Sequence, residues 1–328
     1  MTSTTSERTA RPAGKSPRAG RPGPRKRQGF LGLSERAIPY LMLAPALVFL
    51  IALLGWPALQ VIAISFRELN LGELVRGEVI WTGFDNYVEV LSDPEFWTIV
   101  LRTVVFTAAV VAATVLIGLG IAVLMRHLSK GVRMALQISL VLAWATPIIA
   151  TTTVFQWMFD QQYGILNKTL VLLGFDSFQG HSWFSTGPST LTVIGLLVLW
   201  QAVPFIAFTL YAGLLGASKD LYEAASIDGA TGWQAFTAVS WPALKPVLAI
   251  VTFLSVLWDF KVFTQVWAIR QGGPDGESTT LPVLLYLKGI SGSGFGVAAA
   301  VAVLMLIVLV IVTWRYMRLL VRSQETEL

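Results

Sequence analysis

Six apolar runs, each long enough to cross a hydrocarbon core as a helix, constrain this chain more than any other feature. They fall near residues 38–66, 99–125, 134–159, 190–215, 246–269 and 295–319. A helical crossing takes about 20 residues. Backbone in lipid must satisfy its own N–H and C=O groups, which leaves only helices or closed barrels. Barrel strands alternate in hydropathy over about 10 residues, and these runs are longer and continuous. The expectation is an all-α membrane protein with six transmembrane helices. Composition agrees, since 13% of the 328 residues are charged where a soluble domain has about 25%. The chain has no cysteine, so it holds neither disulfides nor thiolate metal ligands. His127 and His181 lie far apart in sequence, and zinc takes three or four convergent ligands, so no metal site is expected.

Charge sets the orientation. Nine of the 24 Lys and Arg lie in residues 1–36. With that end in the cytoplasm, Arg126, Lys130, Arg133, Lys219, Lys245, Arg315, Arg318 and Arg322 are also inside. Arg67, Arg76, Arg102, Lys168, Arg270 and Lys288 are outside, and Lys261 lies within a span. Seventeen inside against six outside obeys the positive-inside rule, and six spans return the C-terminus to the cytoplasm. Residues 1–36 read as a disordered basic cytoplasmic tail, residues 37–322 as the membrane domain and residues 323–328 as a C-terminal tail. The first run is too long for the apolar core of a cleaved signal peptide and lacks a small-residue cleavage pattern. Gly14-Lys15-Ser16 is no phosphate loop, because Thr9 stands where the first glycine belongs and no strand precedes it. Any ATPase activity must therefore come from a different chain.

The fourth and fifth runs are separated by a polar, helix-prone segment, residues 217–245. It contains Glu223-Ala224-Ala225-Ser226-Ile227-Asp228-Gly229-Ala230 and then Trp241-Pro242. Residues 221–226 read as a short helix, Gly229 as the turn and residues 231–239 as a second short helix. Ala230, Trp233 and Phe236 can fill an apolar groove on a partner, while Glu223 and Asp228 can meet basic groups on its rim.

Further signals lie between the runs. Phe84-Asp85-Asn86-Tyr87 precedes Asp93-Pro94-Glu95-Phe96-Trp97, in which Asp93 is an expected N-cap with Pro94 at the first helical position and Trp97 at the lipid interface. Leu142-Ala143-Trp144-Ala145-Thr146-Pro147 opens the third span, which ends in Phe155-Gln156-Trp157-Met158-Phe159 before Tyr163-Gly164-Ile165-Leu166-Asn167. After the fifth run come Gln271-Gly272-Gly273-Pro274-Asp275-Gly276 and Thr279-Thr280-Leu281-Pro282, whose glycines and prolines force tight turns.

Asp259 and Lys261 read as the only charges inside a span. Such charges face protein or a water-filled cavity, and two residues apart they point to different sides of a helix. The expectation sets Asp259 toward a path and Lys261 toward the outer interface. Polar solutes with apolar faces bind to aromatic rings and to hydrogen-bonding amides and carboxylates. Gln156, Trp157, Trp200, Gln201, Trp258 and Gln265 supply those types in spans three to five.

At these motifs the chain resembles the permease subunits of ATP-binding-cassette importers. Their cytoplasmic EAA loop reads E-A-A, three residues, G, nine residues, I, one residue, L-P. Glu223, Ala224, Ala225, Gly229 and Pro242 match, while Val239 stands for the Ile and Trp241 for the Leu. The Gly-Gly-Pro and Thr-Leu-Pro segments resemble the first permease subunit of maltose-type sugar importers. Trp258 to Phe263 and Arg270 to Gly276 are loosely similar to actinobacterial permeases for chitobiose-like disaccharides. The likeness spans residues 37–322.

The resemblance implies a type I importer permease fold with both termini cytoplasmic. It implies a subunit that does no bond chemistry and translocates an oligosaccharide by alternating access. Glu223, Ala224, Ala225, Asp228, Gly229, Ala230, Trp233 and Pro242 then couple to the ATPase, and Gln156, Trp157, Gln201, Trp258, Asp259 and Gln265 are candidates for the path. The implied partners are a second homologous permease, an ATPase dimer, an extracytoplasmic sugar-binding lipoprotein and membrane lipid, with no nucleic acid. ATP and Mg sit on the ATPase, and this chain needs no cofactor. A permease for another solute, such as phosphate or a peptide, is the nearest alternative. An ion-coupled secondary transporter is a more distant one, because no internal repeat is visible.

Overall fold

A computed structural model describes residues 38–216 and 219–325. The expected basic tail, residues 217 and 218 of the EAA segment and the end of the C-terminal tail lie outside the described residues.

The chain divides into two units at Pro57 and Ala58. The first holds α1 (Ile38–Leu50), followed by a π-helical turn, Ile51–Gly55. Helix α2 (Trp56–Ile64) carries the run to its end, and Tyr40–Ile64 is long and apolar enough to cross a membrane. The second unit continues with a small hairpin, β1 (Arg67–Glu68) and β2 (Ile80–Trp81), around α3 (Leu71–Arg76). Then come α4 (Asp85–Ser92), α5 (Pro94–His127), α6 (Lys130–Trp144), α7 (Ile148–Met158), α8 (Ile165–Leu172) and α9 (Gly187–Leu215). The remainder is α10 (Lys219–Ile227), α11 (Gly232–Ala235), α12 (Trp241–Asp259), α13 (Thr264–Arg270), α14 (Leu281–Tyr286) and α15 (Phe295–Glu325).

Among the described residues five helices are long and apolar enough to span, and the pair α6 and α7 makes a sixth span if taken together. That pair corrects the expectation of a straight third span, because the two helices are bent by 98°. The break is Ala145-Thr146-Pro147. Pro147 has no N–H to continue α6, and it takes an extended conformation that starts α7 instead. The fifth run is also corrected. Its helix stops at Asp259, residues 260–263 turn, and Ile269 belongs to α13, which packs on α7 and α9.

Two of the π-helical turns share a cause. Ile51–Gly55 precedes Trp56-Pro57, and Phe236–Ser240 precedes Trp241-Pro242. A proline ring collides with the carbonyl four residues back in a regular helix, and one widened turn moves that carbonyl away.

Helices α5 and α9 form the centre of the second unit. Gly118 lets them touch, since a Cβ there would lie 2.7 Å from Ile206 Cγ2. Small residues at such crossings replace the hydrophobic drive that lipid cannot supply. One buried cluster holds Phe106, Val110, Val193, Ile194, Leu197, Val266 and Val283. Another, nearer the cytoplasmic ends, holds Met125, Ile206, Leu210, Leu214, Leu244 and Val251. A third joins Val90, Phe96 and Ile99 to Phe260, Leu281 and Val301.

The loops before α5 behave as their residues demand. Asp93 Oδ1 accepts from Glu95 N at 2.9 Å with Pro94 at the first position, as expected of an N-cap. Trp97 is exposed and donates to Leu91 O. Asn86 is buried and donates to Ser65 O and Arg67 O, both at 2.9 Å, tying α4 to the end of α2.

Candidate functional site

The EAA segment forms an elbow whose two arms are capped in different ways. Helix α10 ends in a Schellman motif: Ala230 N donates to Ala225 O at 2.9 Å and Gly229 N to Ser226 O at 3.1 Å. Gly229 takes φ +77°, the left-handed conformation that glycine adopts without strain. The next helix starts with a capping box, in which Gln234 N donates to Thr231 Oγ1 and Thr231 N to Gln234 Oε1. The expected second short helix is not separate. Helix α11 runs through the π turn into α12, so Gly232–Asp259 forms one 28-residue helix. The outer arm of the elbow is thus the cytoplasmic end of a span.

The exposed face of α10 mixes apolar and acidic side chains. Tyr222 and Ala225 turn toward the chain, whereas Leu221, Glu223, Ala224, Ser226, Ile227 and Asp228 face outward. Ile227 is 86% exposed and Trp233 73%, the latter stacked on Phe236 with ring centroids 5.7 Å apart. Ala230 and Phe236 are half-buried and Pro242 is exposed. Behind the elbow lies a cavity of about 1040 Å³, bounded by Val123, Arg126, Tyr222, Trp233, Phe236 and Trp241 among others.

Arg126 lies at the cytoplasmic end of α5. Its Nη1 donates to Tyr222 OH at 2.5 Å and to Ser240 Oγ at 3.0 Å, and its guanidinium sits 3.9 Å from the centre of the Tyr222 ring. Tyr222 OH and Ser240 Oγ are also hydrogen-bonded, and Ser240 is fully buried. Sequence reading treats Arg126 only as a topology charge and passes over Tyr222 and Ser240. The one signal for Tyr222 is its place on the inward face of α10.

The candidate path residues do not form a single group. Gln156 donates to Ala268 O at 2.9 Å and Ile269 O at 3.0 Å, joining α7 to α13. Gln265 Nε2 donates to Gln201 Oε1 at 3.1 Å, joining α13 to α9. Trp157 is exposed, and half-exposed Trp258 makes an edge contact with Phe205 at 5.2 Å. Asp259 is 5% exposed and its Oδ2 has no hydrogen-bond partner, while Lys261 is exposed beyond the helix end. None of these residues lines the cavity behind the elbow or a second one of about 660 Å³ between α5 and α9.

The expectation for the span charges is corrected twice: Lys261 lies outside the helix, and Asp259 is not alone within one. Arg102 lies within α5, where its Nη1 donates to Gly276 O at 2.9 Å and Thr279 O at 3.0 Å. It pins the Gly-Gly-Pro loop, whose Gly272 and Gly276 have φ of +89° and +77°. Glu277 of the same loop accepts from Gly187 N at 2.8 Å, and Leu281 N donates to Thr103 Oγ1 at 3.0 Å. The Tyr-Gly-x-Leu-Asn string organises the loop before α9. Buried Asn167 donates to Gln161 O and His181 O, and accepts from Trp183 Nε1 at 2.7 Å. The Asp160 carboxylate accepts from Gln162 N and Tyr163 N, and those bonds hold it below the usual carboxylate range.

This architecture defines a multi-pass helical protein of the cytoplasmic membrane with a surface elbow built into one of its spans. The chain belongs to the family of binding-protein-dependent transport system inner membrane components, whose pattern matches residues 114–325. It is 40% identical over 290 residues to the diacetylchitobiose uptake system permease protein DasB of Streptomyces coelicolor, covering 88% of each chain. It is 31% identical to the trehalose/maltose transport system permease protein MalF of Thermococcus litoralis, covering 77% of this chain and 83% of that one. A bacterial alginate ABC transporter, solved in complex with an alginate pentasaccharide-bound periplasmic protein, shares the fold. The TM-score is 0.73 at 19% identity, over 86% of this chain and 93% of that chain.

Proposed function

We propose that this chain is one of two homologous permease subunits of an ATP-driven importer for an oligosaccharide, of the disaccharide class and chitobiose-like. The reading rests chiefly on the 40% identity to a diacetylchitobiose permease across 88% of both chains. The exposed elbow supports it, because a short helix that presents Leu221 and Ile227 among acidic side chains fits an apolar groove with a basic rim on a separate motor. The proposed partners are the second permease, an ATPase dimer that carries ATP and Mg, and an extracytoplasmic binding lipoprotein. ATP-driven closure of the dimer tilts the spans through the elbow and switches access from outside to inside. This chain itself breaks no bond.

The test is uptake of radiolabelled N,N′-diacetylchitobiose by a strain deleted for this chain and by the complemented strain. Restored uptake that unlabelled maltose does not compete away supports the chitobiose-like cargo. Restored growth on another solute, with no disaccharide uptake, overturns it. Asp259 is proposed to bear on the path, as a buried intramembrane carboxylate whose Oδ2 is left without a hydrogen-bond partner. Asp259→Ala is expected to cut uptake several-fold while the complex still assembles, as judged by co-purification of the partner subunits. Loss of assembly instead assigns Asp259 to the packing of α12.

A further inference from the structure

We infer that Arg126, Tyr222 and Ser240 form a clamp that makes α5 move with the elbow, so that a push on α10 reaches the centre of the bundle directly. This rests on the elbow being the motor contact. The covalent links of α10 run to α9 on one side, through residues 217 and 218, and to α12 on the other, through the Gly229 turn. Neither link reaches α5. The clamp supplies that connection with one guanidinium on two hydroxyls, at 2.5 and 3.0 Å, and on the Tyr222 ring at 3.9 Å. A planar guanidinium can hold two acceptors and a ring face at once, which a lysine ammonium cannot reproduce. Because Ser240 is fully buried at the root of α12, the same cation joins three helices at one point. Helix α5 is in turn packed along α9, with Gly118 in contact with Ile206 and Ala207. A displacement of Tyr222 therefore moves the α5–α9 pair as a body.

The test uses the assembled complex of this chain with its second permease, ATPase and binding protein in proteoliposomes. Arg126→Lys and Tyr222→Phe are the variants, since each keeps bulk and position while removing part of the clamp. ATP hydrolysis is expected to persist, while solute imported per ATP falls by about fivefold or more, the lower end of ordinary coupling between sites. An unchanged ratio in both variants overturns the clamp. A second readout does not depend on transport. The chain contains no native cysteine, so spin labels at Leu124→Cys and Ser226→Cys report the α5–α10 distance in the nanodisc-embedded permease pair, without the ATPase that would cover Ser226. The expected result is a narrow distribution in the otherwise native chain that broadens in Tyr222→Phe. A distribution equally narrow in the variant overturns the clamp, whatever the cargo. If the otherwise native complex moves no disaccharide, the proposed cargo fails and the spin-label result still decides the clamp.

Discussion

At the scale of single residues, buried polar side chains in this molecule are spent on holding loops, and Asn167 is the clearest case. Its amide bridges Gln161 O, His181 O and the Trp183 indole, so it closes a long loop from inside. Leucine has the same branching and number of side-chain heavy atoms and satisfies none of the three. Leaving buried partners unpaired costs about 1–3 kcal/mol per group, reduced where water can reach them. Asn167→Leu is expected to lower the melting temperature of the purified protein by several degrees. Unchanged melting, followed by differential scanning fluorimetry in detergent, contradicts that role. The residue type and spacing were legible in the sequence as Tyr-Gly-x-Leu-Asn, but the job was not, because two of the partners lie 14 and 16 positions downstream. Arg102 and Arg126 were hidden for a related reason. A cation near a span end reads first as a topology signal, and only the fold reveals that its donors are engaged within the chain.

At the scale of elements, hydropathy located all six runs and misjudged where helices break. An apolar window has the same mean whether its residues form one straight helix or two at 98°, so the third span was recovered in extent and missed in shape. Pro147 was the available signal, since the residue before a proline is biased away from helix. The elbow was more legible, because Gly229 and the Thr231-to-Gln234 spacing are local signatures with local causes. What escaped was the continuity of α11 with α12, which depends on a widened turn ahead of Pro242. This geometry predicts how substitution at the turn behaves. Nothing lies within 4 Å of a Cβ built on Gly229, so the penalty there is purely conformational. Left-handed backbone costs an ordinary residue about 1–2 kcal/mol, and more for a β-branched one. Gly229→Val should impair uptake in the complemented strain, whereas Gly229→Asn, which tolerates that conformation, should retain most of it. Equal loss from both would show that side-chain bulk matters there and not backbone angle.

At the scale of the whole molecule, two kinds of exposed apolar surface need separate explanations. Surface along the spans is matched by lipid or by the proposed second permease. The outer face of α10 is different, because positive-inside charge assigns the elbow to the aqueous side. There Leu221 and Ile227 stand in water at the end of a helix that is capped at Gly229 and tied to α5 and α12. Rigid, apolar and solvent-facing surface of this kind is the usual mark of a protein contact. If α10 is the docking helix for an ATPase, most of the binding energy should sit in a few such side chains. Ile227→Glu adds a charge at the most exposed apolar side chain of that face without touching the bundle. It is expected to weaken ATPase binding to the nanodisc-embedded permease pair by about tenfold or more, equivalent to about 1.4 kcal/mol. The melting temperature of the permease should be unaltered, since Ile227 contributes little to internal packing at 86% exposure. Titration of the purified ATPase by surface plasmon resonance gives the comparison. Native affinity in the variant would move the motor contact elsewhere on the cytoplasmic face, and with it the route by which ATP closure reaches α5 and α12.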